Sequence, residues 1–148
     1  MSKNDKTIRY SVFNHKVFIV WKSAYKLGIP IIDEQHRGIV TAINSLYFGM
    51  QNKHGDDMLK PVIGMIRDYT HVHFQVEEDF LKRYKYPNLK QHIKLHKELI
   101  RELSRVGKKS VWDHDPLEFL EFLKKWWIDH INKEDQEYLD YLMAALRR

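Results

Sequence analysis

The sequence contains no cysteine, little glycine and proline, and no long apolar segment. The absence of cysteine from 148 residues excludes disulfides, thiolate catalysis, iron–sulfur clusters and cysteine-ligated zinc. Six glycines and four prolines in a chain that is 43% hydrophobic are typical of a packed globular core and exclude collagen and low-complexity chains. The apolar run at residues 17–21 is too short for a signal peptide or a membrane span. Any metal must therefore be held by histidine and carboxylate, and we expect a cytoplasmic protein without a membrane span.

Length and charge indicate one domain that does not bind nucleic acid. A chain of 148 residues suits a single domain and scarcely allows two. The net charge of +5 raises the question of a nucleic-acid partner, but residues 111–148 carry only five basic against nine acidic side chains. No tight basic cluster stands out elsewhere. We therefore expect no nucleic-acid partner.

Apolar residues recur in four segments with the 3.6-residue period of amphipathic helices. The segments are bounded by Asp33 and residues 52–55, by a cap at Asp56 or Asp57 and Pro87, by Leu89 and Arg105, and by Asp115 and the last residues of the chain. Gly107 supplies a stop for the third helix, and Leu117 marks the start of the buried face of the fourth. The pattern predicts an all-α, up-down-up-down antiparallel four-helix bundle over residues 21–148, preceded by an N-terminal arm over residues 1–20.

Ionisable residues occupy positions on the predicted interior faces where bundles normally carry leucine or isoleucine. They comprise five of the nine histidines and two acids: His36, His73, Glu77, His92, His96, His130 and Asp135. Each would cost several kcal/mol if buried alone, so one another, water or an ion must satisfy them. The remaining histidines, His15, His54, His71 and His114, lie in the arm, in loops or on an outer helix face, and we expect none of them to bind metal.

The spacing of these residues favours an ion. Residues four apart lie on one helix face, so His73 with Glu77, and His92 with His96, can each direct two donor atoms at one point. Five imidazoles and two carboxylates exceed the needs of one zinc ion but suit two bridged metals, and this donor mixture favours iron or manganese over calcium or magnesium. Asp135 follows His130 by five residues, about 140 degrees away in a regular α-helix, so we predict a π-bulge near residues 131–134.

Four stretches of the sequence resemble the hemerythrins, particularly the bacterial single-domain kind. They are IIDEQHRGIV with the upstream Trp21, then HFQVEEDF, then RYKYPNLKQHIKLH, then WWIDHINKEDQEY. The resemblance covers residues 21–138, and all seven ligand positions of the family pattern are present in order and at family spacing. The N-terminal arm is longer than is usual in the family.

The resemblance implies reversible O2 binding at a non-haem di-iron centre. One iron would be held by His92, His96 and His130 and the other by His36 and His73, with Glu77, Asp135 and a solvent-derived oxo or hydroxo group as bridges. The less saturated iron would keep an open position for O2. An apolar wall would protect that position, and its candidates are Phe74, Phe80, Leu95, Leu99, Trp126 and Trp127.

Two other functions compete with oxygen carriage, storage or delivery. A di-iron oxidase or peroxidase of the ferritin-like type would use Glu-x-x-His motifs, and no histidine here has a glutamate three positions before it. We therefore expect a binding protein and not an enzyme. A sensor of oxygen, redox state or NO would pass its output to an unknown protein partner. We expect a monomer or a weak oligomer.

Overall fold

A computed structural model describes residues 17–147, which form a bundle of helices without any strand in that range. A single turn of 3-10 helix, Ser23–Tyr25, precedes the bundle. The helices are α1, Pro30–Gln51; α2, Gly55–Arg83; α3, Leu89–Asp113; α4, Pro116–Asp129; and α5, Asp135–Leu146. A five-residue π segment, His130–Glu134, joins α4 to α5, so that these three pieces make one long fourth helix. The predicted four-helix bundle is confirmed.

The helix starts show which capping predictions hold. Pro30 is the first residue of α1, and the Asp33 carboxylate accepts hydrogen bonds from the backbone of Leu27 and Gly28, at 2.7 and 3.0 Å. Asp115 caps α4 as predicted, because its carboxylate accepts a bond of 3.1 Å from the amide of Glu118. A negative group near the first turn complements the positive end of a helix. Both starts therefore follow from local chemistry.

Predicted caps at Asp56 and Asp57 are wrong. Helix α2 already begins at Gly55, and neither acid caps it, since both lie exposed within its first turn. Gly55 is buried at the end of α1, where a Cβ atom would come within 2.7 Å of Met50 Cγ. The close approach of the two helices at this glycine starts α2 earlier than side-chain capping suggests.

The predicted end of the third helix is also wrong, because α3 continues through Gly107 to Asp113 and ends at the left-handed His114. Gly107 is buried against α2, where a Cβ atom would lie 3.1 Å from Ile63 Cγ2. This glycine therefore permits a close helix contact and does not terminate the helix. Leu117, expected on the buried face of α4, is 52% exposed and lies in the first turn of that helix.

Each helix packs on its neighbours in sequence, and α1 also contacts α4, which closes the ring. A large apolar cluster fills the α1–α4 interior, and a smaller cluster of Leu27, Ile32, Leu81, Tyr138 and Leu142 closes the other end. The run at residues 17–21 packs over the bundle, where Ile19 is buried and exchanges two hydrogen bonds of 2.9 Å with the Asn44 side chain. Residues 1–16 of the predicted arm lie outside the described range, so the division at residue 20 stays a prediction.

Within residues 17–147, no helix combines the length and the hydropathy that a membrane span requires.

Candidate metal centre

The seven ionisable residues of the predicted interior lie together between the two apolar clusters. All are buried, and their exposed fractions are 7% for His92 and 2% or less for the other six. Helix α1 carries His36, α2 carries His73 and Glu77, and α3 carries His92 and His96. The fourth long helix carries His130 and Asp135 at the two ends of its π segment. Each of the four long helices thus contributes at least one ligand donor to the same interior site.

Their donor atoms form two overlapping groups. In one group His36 and His73 join Glu77 and Asp135, and in the other His96 and His130 join the same two acids. Within each group the donor atoms lie within 4.8 Å of one another. The remaining imidazole, His92, places Nε2 3.0 Å from Glu77 Oε2 and 3.9 Å from Asp135 Oδ1. Two groups that share both carboxylates have the geometry of two neighbouring cation positions bridged by Glu77 and Asp135.

Several of these buried atoms have no hydrogen bond within residues 17–147. Those that face the centre are both carboxylate oxygens of Asp135 and Nε2 of His96 and of His130. Yet His130 Nε2 lies 3.2 Å from Asp135 Oδ1, and His96 Nε2 lies 2.9 Å from Glu77 Oε2. These nitrogen–oxygen distances are short, but the angles at the atoms do not suit hydrogen bonds. Such an arrangement is expected when the lone pairs of both partners point into a shared space between the residues. Because unpaired buried polar atoms are costly, this donor set fits bound cations.

Three imidazoles are oriented by acceptors on their outer nitrogen. His73 Nδ1 lies 2.9 Å from Gln35 Oε1, His96 Nδ1 lies 2.8 Å from Glu78 Oε1, and His130 Nδ1 lies 3.0 Å from Glu134 Oε2. An acceptor at Nδ1 places the proton there and leaves the Nε2 lone pair directed inward, which is the usual arrangement around ligating histidines.

Sequence reasoning missed these three outer partners. Only Glu134 carried a usable indication, because it follows His130 by four residues and therefore lies on the same helix face. Gln35 and Glu78 each reach a histidine on another helix, so no spacing along the chain announces them. Tyr138 was also missed, although its hydroxyl donates a buried hydrogen bond to Glu77 Oε1.

Burial and neighbouring charge move the pKa values of the two acids in opposite directions. Burial alone would raise the pKa of Glu77, but the adjacent nitrogens of His92 and His96 hold it well below the usual value. Burial raises the pKa of Asp135 well above its usual value, and the negative charge of Glu77 raises it further. In the absence of a cation, Glu77 is therefore the ionised partner of the pair, and Asp135 is the one that retains a proton.

Burial keeps the imidazoles of His36 and His73 neutral. It lowers the pKa of His36 to about 2, with a further contribution from the neighbouring His73. Burial likewise lowers the pKa of His73 to about 4, against the raising effect of Glu77. Neutral imidazole is the form that binds metal, so near neutral pH no proton has to leave either ring before a cation enters.

The π segment aligns the last two residues of the set, as the sequence predicts. Five residues of regular α-helix would leave Asp135 about 140 degrees away from His130. The wider turn at His130–Glu134 brings both side chains to the interior, where His130 Nε2 lies within 3.2 Å of Asp135 Oδ1.

Aromatic rings cover the centre on the side of the large apolar cluster. The Phe74 ring stacks on the His96 ring with centroids 3.6 Å apart, and the Trp127 ring lies 5.5 Å from the His36 ring. Trp126 stacks 6.1 Å from His130. Of the other candidates for an apolar wall, Leu99 packs in the large cluster, Phe80 in the smaller one, and Leu95 lines a cavity beside His92.

Histidines that the sequence excludes from the centre lie on the surface wherever they are described. His54, His71 and His114 are exposed. His114 places Nδ1 3.1 Å from Asp56 Oδ2, far from the seven interior residues along the bundle. His15 lies outside the described residues. That these residues bind no metal stays a prediction.

Fold and centre together define a class of protein, the helical bundles that enclose a cation site of histidine and carboxylate. The family model described as Hemerythrin HHE cation binding domain matches residues 27–142. The chain belongs to the hemerythrin family, as the sequence motifs predict.

Curated relatives match most of the chain. A bacteriohemerythrin of Clostridium acetobutylicum is 32% identical over 127 residues, which are 82% of this chain and 98% of the relative. A bacteriohemerythrin of Stenotrophomonas maltophilia is 30% identical over 131 residues, which are 88% of this chain and 85% of the relative. A hemerythrin-like protein of Naegleria gruberi is 26% identical over 118 residues, which are 80% of this chain and 88% of the relative.

Proposed function

We propose that this protein binds O2 reversibly at a non-haem di-iron centre, as a carrier, store or donor of oxygen. The observation that carries the proposal is the pair of overlapping donor groups that share Glu77 and Asp135. Family membership supports iron as the cation. Imidazole-rich sites with few carboxylates also suit iron better than calcium or magnesium.

In the proposed assignment, His92, His96 and His130 hold one iron, and His36 and His73 hold the other. Glu77 and Asp135 bridge the two. The contact of His92 Nε2 with Glu77 Oε2 at 3.0 Å supports its place beside His96, which approaches the same oxygen. The position near His36 and His73 has one histidine fewer, so it is the one with room for an external ligand.

The residues around the centre have separate tasks in this proposal. Bound iron supplies the electrons that hold O2, and the chain controls what else reaches it. Gln35, Glu78 and Glu134 fix the rotation and proton position of three imidazoles. Tyr138 fixes Glu77 by its hydrogen bond. Phe74 and Trp127 exclude water from the interior, which favours release of intact O2 over hydrolytic side reactions.

Spectroscopy on anaerobically reconstituted protein tests the proposal. We expect two irons per chain, almost no visible absorption before exposure, and a visible band that appears with O2 and disappears under inert gas. Repeated cycles should return the same spectrum. Irreversible bleaching on first exposure would favour an oxidase. Failure to retain iron would refute the centre itself.

Replacement of single histidines tests the assignment of the two positions. We expect His73→Ala to weaken the O2-binding iron and His96→Ala to weaken the other, because each removes one imidazole from a different donor group. Iron content after gel filtration should fall in both variants, while the visible O2 band should be lost with His73→Ala. The matched control is His71→Ala, which removes an exposed histidine from the same helix. Unchanged iron content in both interior variants would contradict the assignment.

Three expectations from the sequence remain predictions: the cytoplasmic location, the monomeric or weakly oligomeric state, and the absence of an enzymatic main role. No feature of the described residues favours a sensor over a carrier. Comparing proteins captured from lysate with the oxygenated and the reduced forms distinguishes the two, since a carrier should have no oxygen-dependent partner.

A further inference from the structure

A cavity of about 300 Å³ lies between the first turns of α3 and the junction of the π segment with α5. It is lined by His92 and Gln91 on one side and by Glu134 and Glu137 on the other. We propose that this cavity is the port through which Fe(II) enters the metal centre. The inference rests on the proposed iron site and concerns how that site is filled.

His92 is the point where the centre meets the cavity. At 7% exposure it is the most accessible of the seven interior residues. Its Nε2 faces Glu77, whereas its Nδ1 makes no hydrogen bond within residues 17–147. His73, His96 and His130 instead have protein acceptors at Nδ1. The imidazole that borders the cavity therefore has no protein acceptor at its outer nitrogen within the described residues, and His36, which also lacks one, is fully buried.

A second residue connects the cavity to the same iron position. Glu134 lines the cavity, and its Oε2 lies 3.0 Å from His130 Nδ1. The cavity thus contacts His92 directly and His130 through one carboxylate. Both imidazoles belong to the three-histidine position of the proposed centre. A cation in the cavity would need only a short displacement past His92 to reach it.

The negative charge around the cavity attracts a cation, although the net charge of the whole chain is positive. The net charge of +5 repels Fe(II) at long range. Two carboxylates line the cavity, and no lysine or arginine within the described range does so. Glu137 is exposed and has no hydrogen-bond or ion-pair partner among residues 17–147. The start of α3 contributes about half a positive charge, which two carboxylates outweigh.

A groove on another face provides a contrast. It has a volume of about 430 Å³, lies between α2 and α3, and carries Lys60, Arg67 and Lys108. None of the seven interior residues lines it. Positive charge and lack of contact with the centre make this groove unsuitable for iron entry. Cavity size alone therefore does not identify the port, whereas contact with His92 and negative charge do.

Stopped-flow mixing of metal-free protein with Fe(II) under anaerobic conditions tests the port. Tryptophan fluorescence reports arrival, because Trp127 and Trp126 lie 5.5 and 6.1 Å from the His36 and His130 rings. We expect Glu137→Lys to lower the second-order loading rate about tenfold at low salt and Glu137→Gln about threefold. The differences should disappear near 1 M salt, where the Debye length is about 3 Å. The matched control is Glu121→Lys, which reverses an exposed charge on α4.

Final iron content, measured with a colorimetric chelator, should be the same in all four proteins, because Glu137 and Glu121 are not ligands. Loading of Glu137→Lys at the rate of the unsubstituted protein would overturn the port. Equal slowing by Glu121→Lys would also overturn it, since the effect would then come from net charge. Failure of the unsubstituted protein to retain iron would instead refute the proposed function.

Discussion

The Glu77→Gln variant is expected to bind Fe(II) at least about a hundredfold more weakly than the unsubstituted chain. Glu77 belongs to both donor groups, so its loss weakens both cation positions at once. The amide has nearly the same shape and can still accept the Tyr138 hydrogen bond, but it carries no charge and is a poor bridging ligand. Anaerobic competition with a chromophoric Fe(II) chelator measures the affinity. Far-UV circular dichroism establishes whether the helices are retained.

The two acids that follow Glu77 provide a graded control. Glu78 is half-buried and accepts from His96 Nδ1 at 2.8 Å, so Glu78→Gln should weaken iron binding about tenfold. Asp79 is exposed and, among residues 17–147, pairs only with Gln75, so Asp79→Asn should have no effect. Consecutive residues on a helix point about 100 degrees apart, which explains the gradient. Equal iron affinity for the Glu77 and Asp79 variants would show that Glu77 is not a ligand.

Asp135→Asn is expected to abolish iron retention and, at the same time, to stabilise the metal-free protein by about 1–3 kcal/mol. Both oxygens of Asp135 are buried without hydrogen bonds within residues 17–147, and burial raises the pKa of this carboxyl. An asparagine amide in the same position could donate to His130 Nε2, since the proton of that imidazole is held at Nδ1 by Glu134. Urea unfolding of both metal-free proteins measures the difference.

The pH dependence of that difference follows from the raised pKa. Folded Asp135 keeps its proton at pH values where the unfolded chain, with a pKa near 3.8, has lost it. The metal-free parent therefore gains stability from this residue as the pH falls from neutral toward 3.8, and the variant does not. The excess in the free energy of unfolding of the variant over the parent should be largest near neutral pH and should shrink on acidification. An excess that grows on acidification would contradict the raised pKa of Asp135.

The sequence was sufficient to bring the seven candidate ligands together in the interior, because each helix carries its own local pattern. His73 and Glu77, like His92 and His96, are four residues apart, and regular helix geometry places such pairs on one face. The irregular pair was also predictable, because the five-residue interval from His130 to Asp135 fits only a widened turn. The interior position of all seven residues then followed from the apolar residues around them.

Features that depend on contacts between helices could not be predicted. Glycine often ends a helix, but Gly107 lies inside α3, where the absence of a side chain makes room for Ile63 on α2. Gln35 orients His73 across a helix interface, and no interval along the chain indicates that contact. The cavity beside His92 exists only because the start of α3 meets the start of α5. Local periodicity determines which residues face inward, and packing between helices determines which partners they find.

The π segment also shifts the heptad phase of the fourth long helix relative to a regular bundle helix. Interior positions before it include Leu120, Leu123 and Trp127, and those after it include Tyr138 and Leu142. A heptad register fitted to the first group falls one residue short of the second, because the segment accommodates an additional residue. An alignment that enforces one continuous heptad phase would therefore assign the wrong core positions to the C-terminal half. Against a regular helix, a one-residue gap placed within residues 131–134 restores the correct phase on both sides.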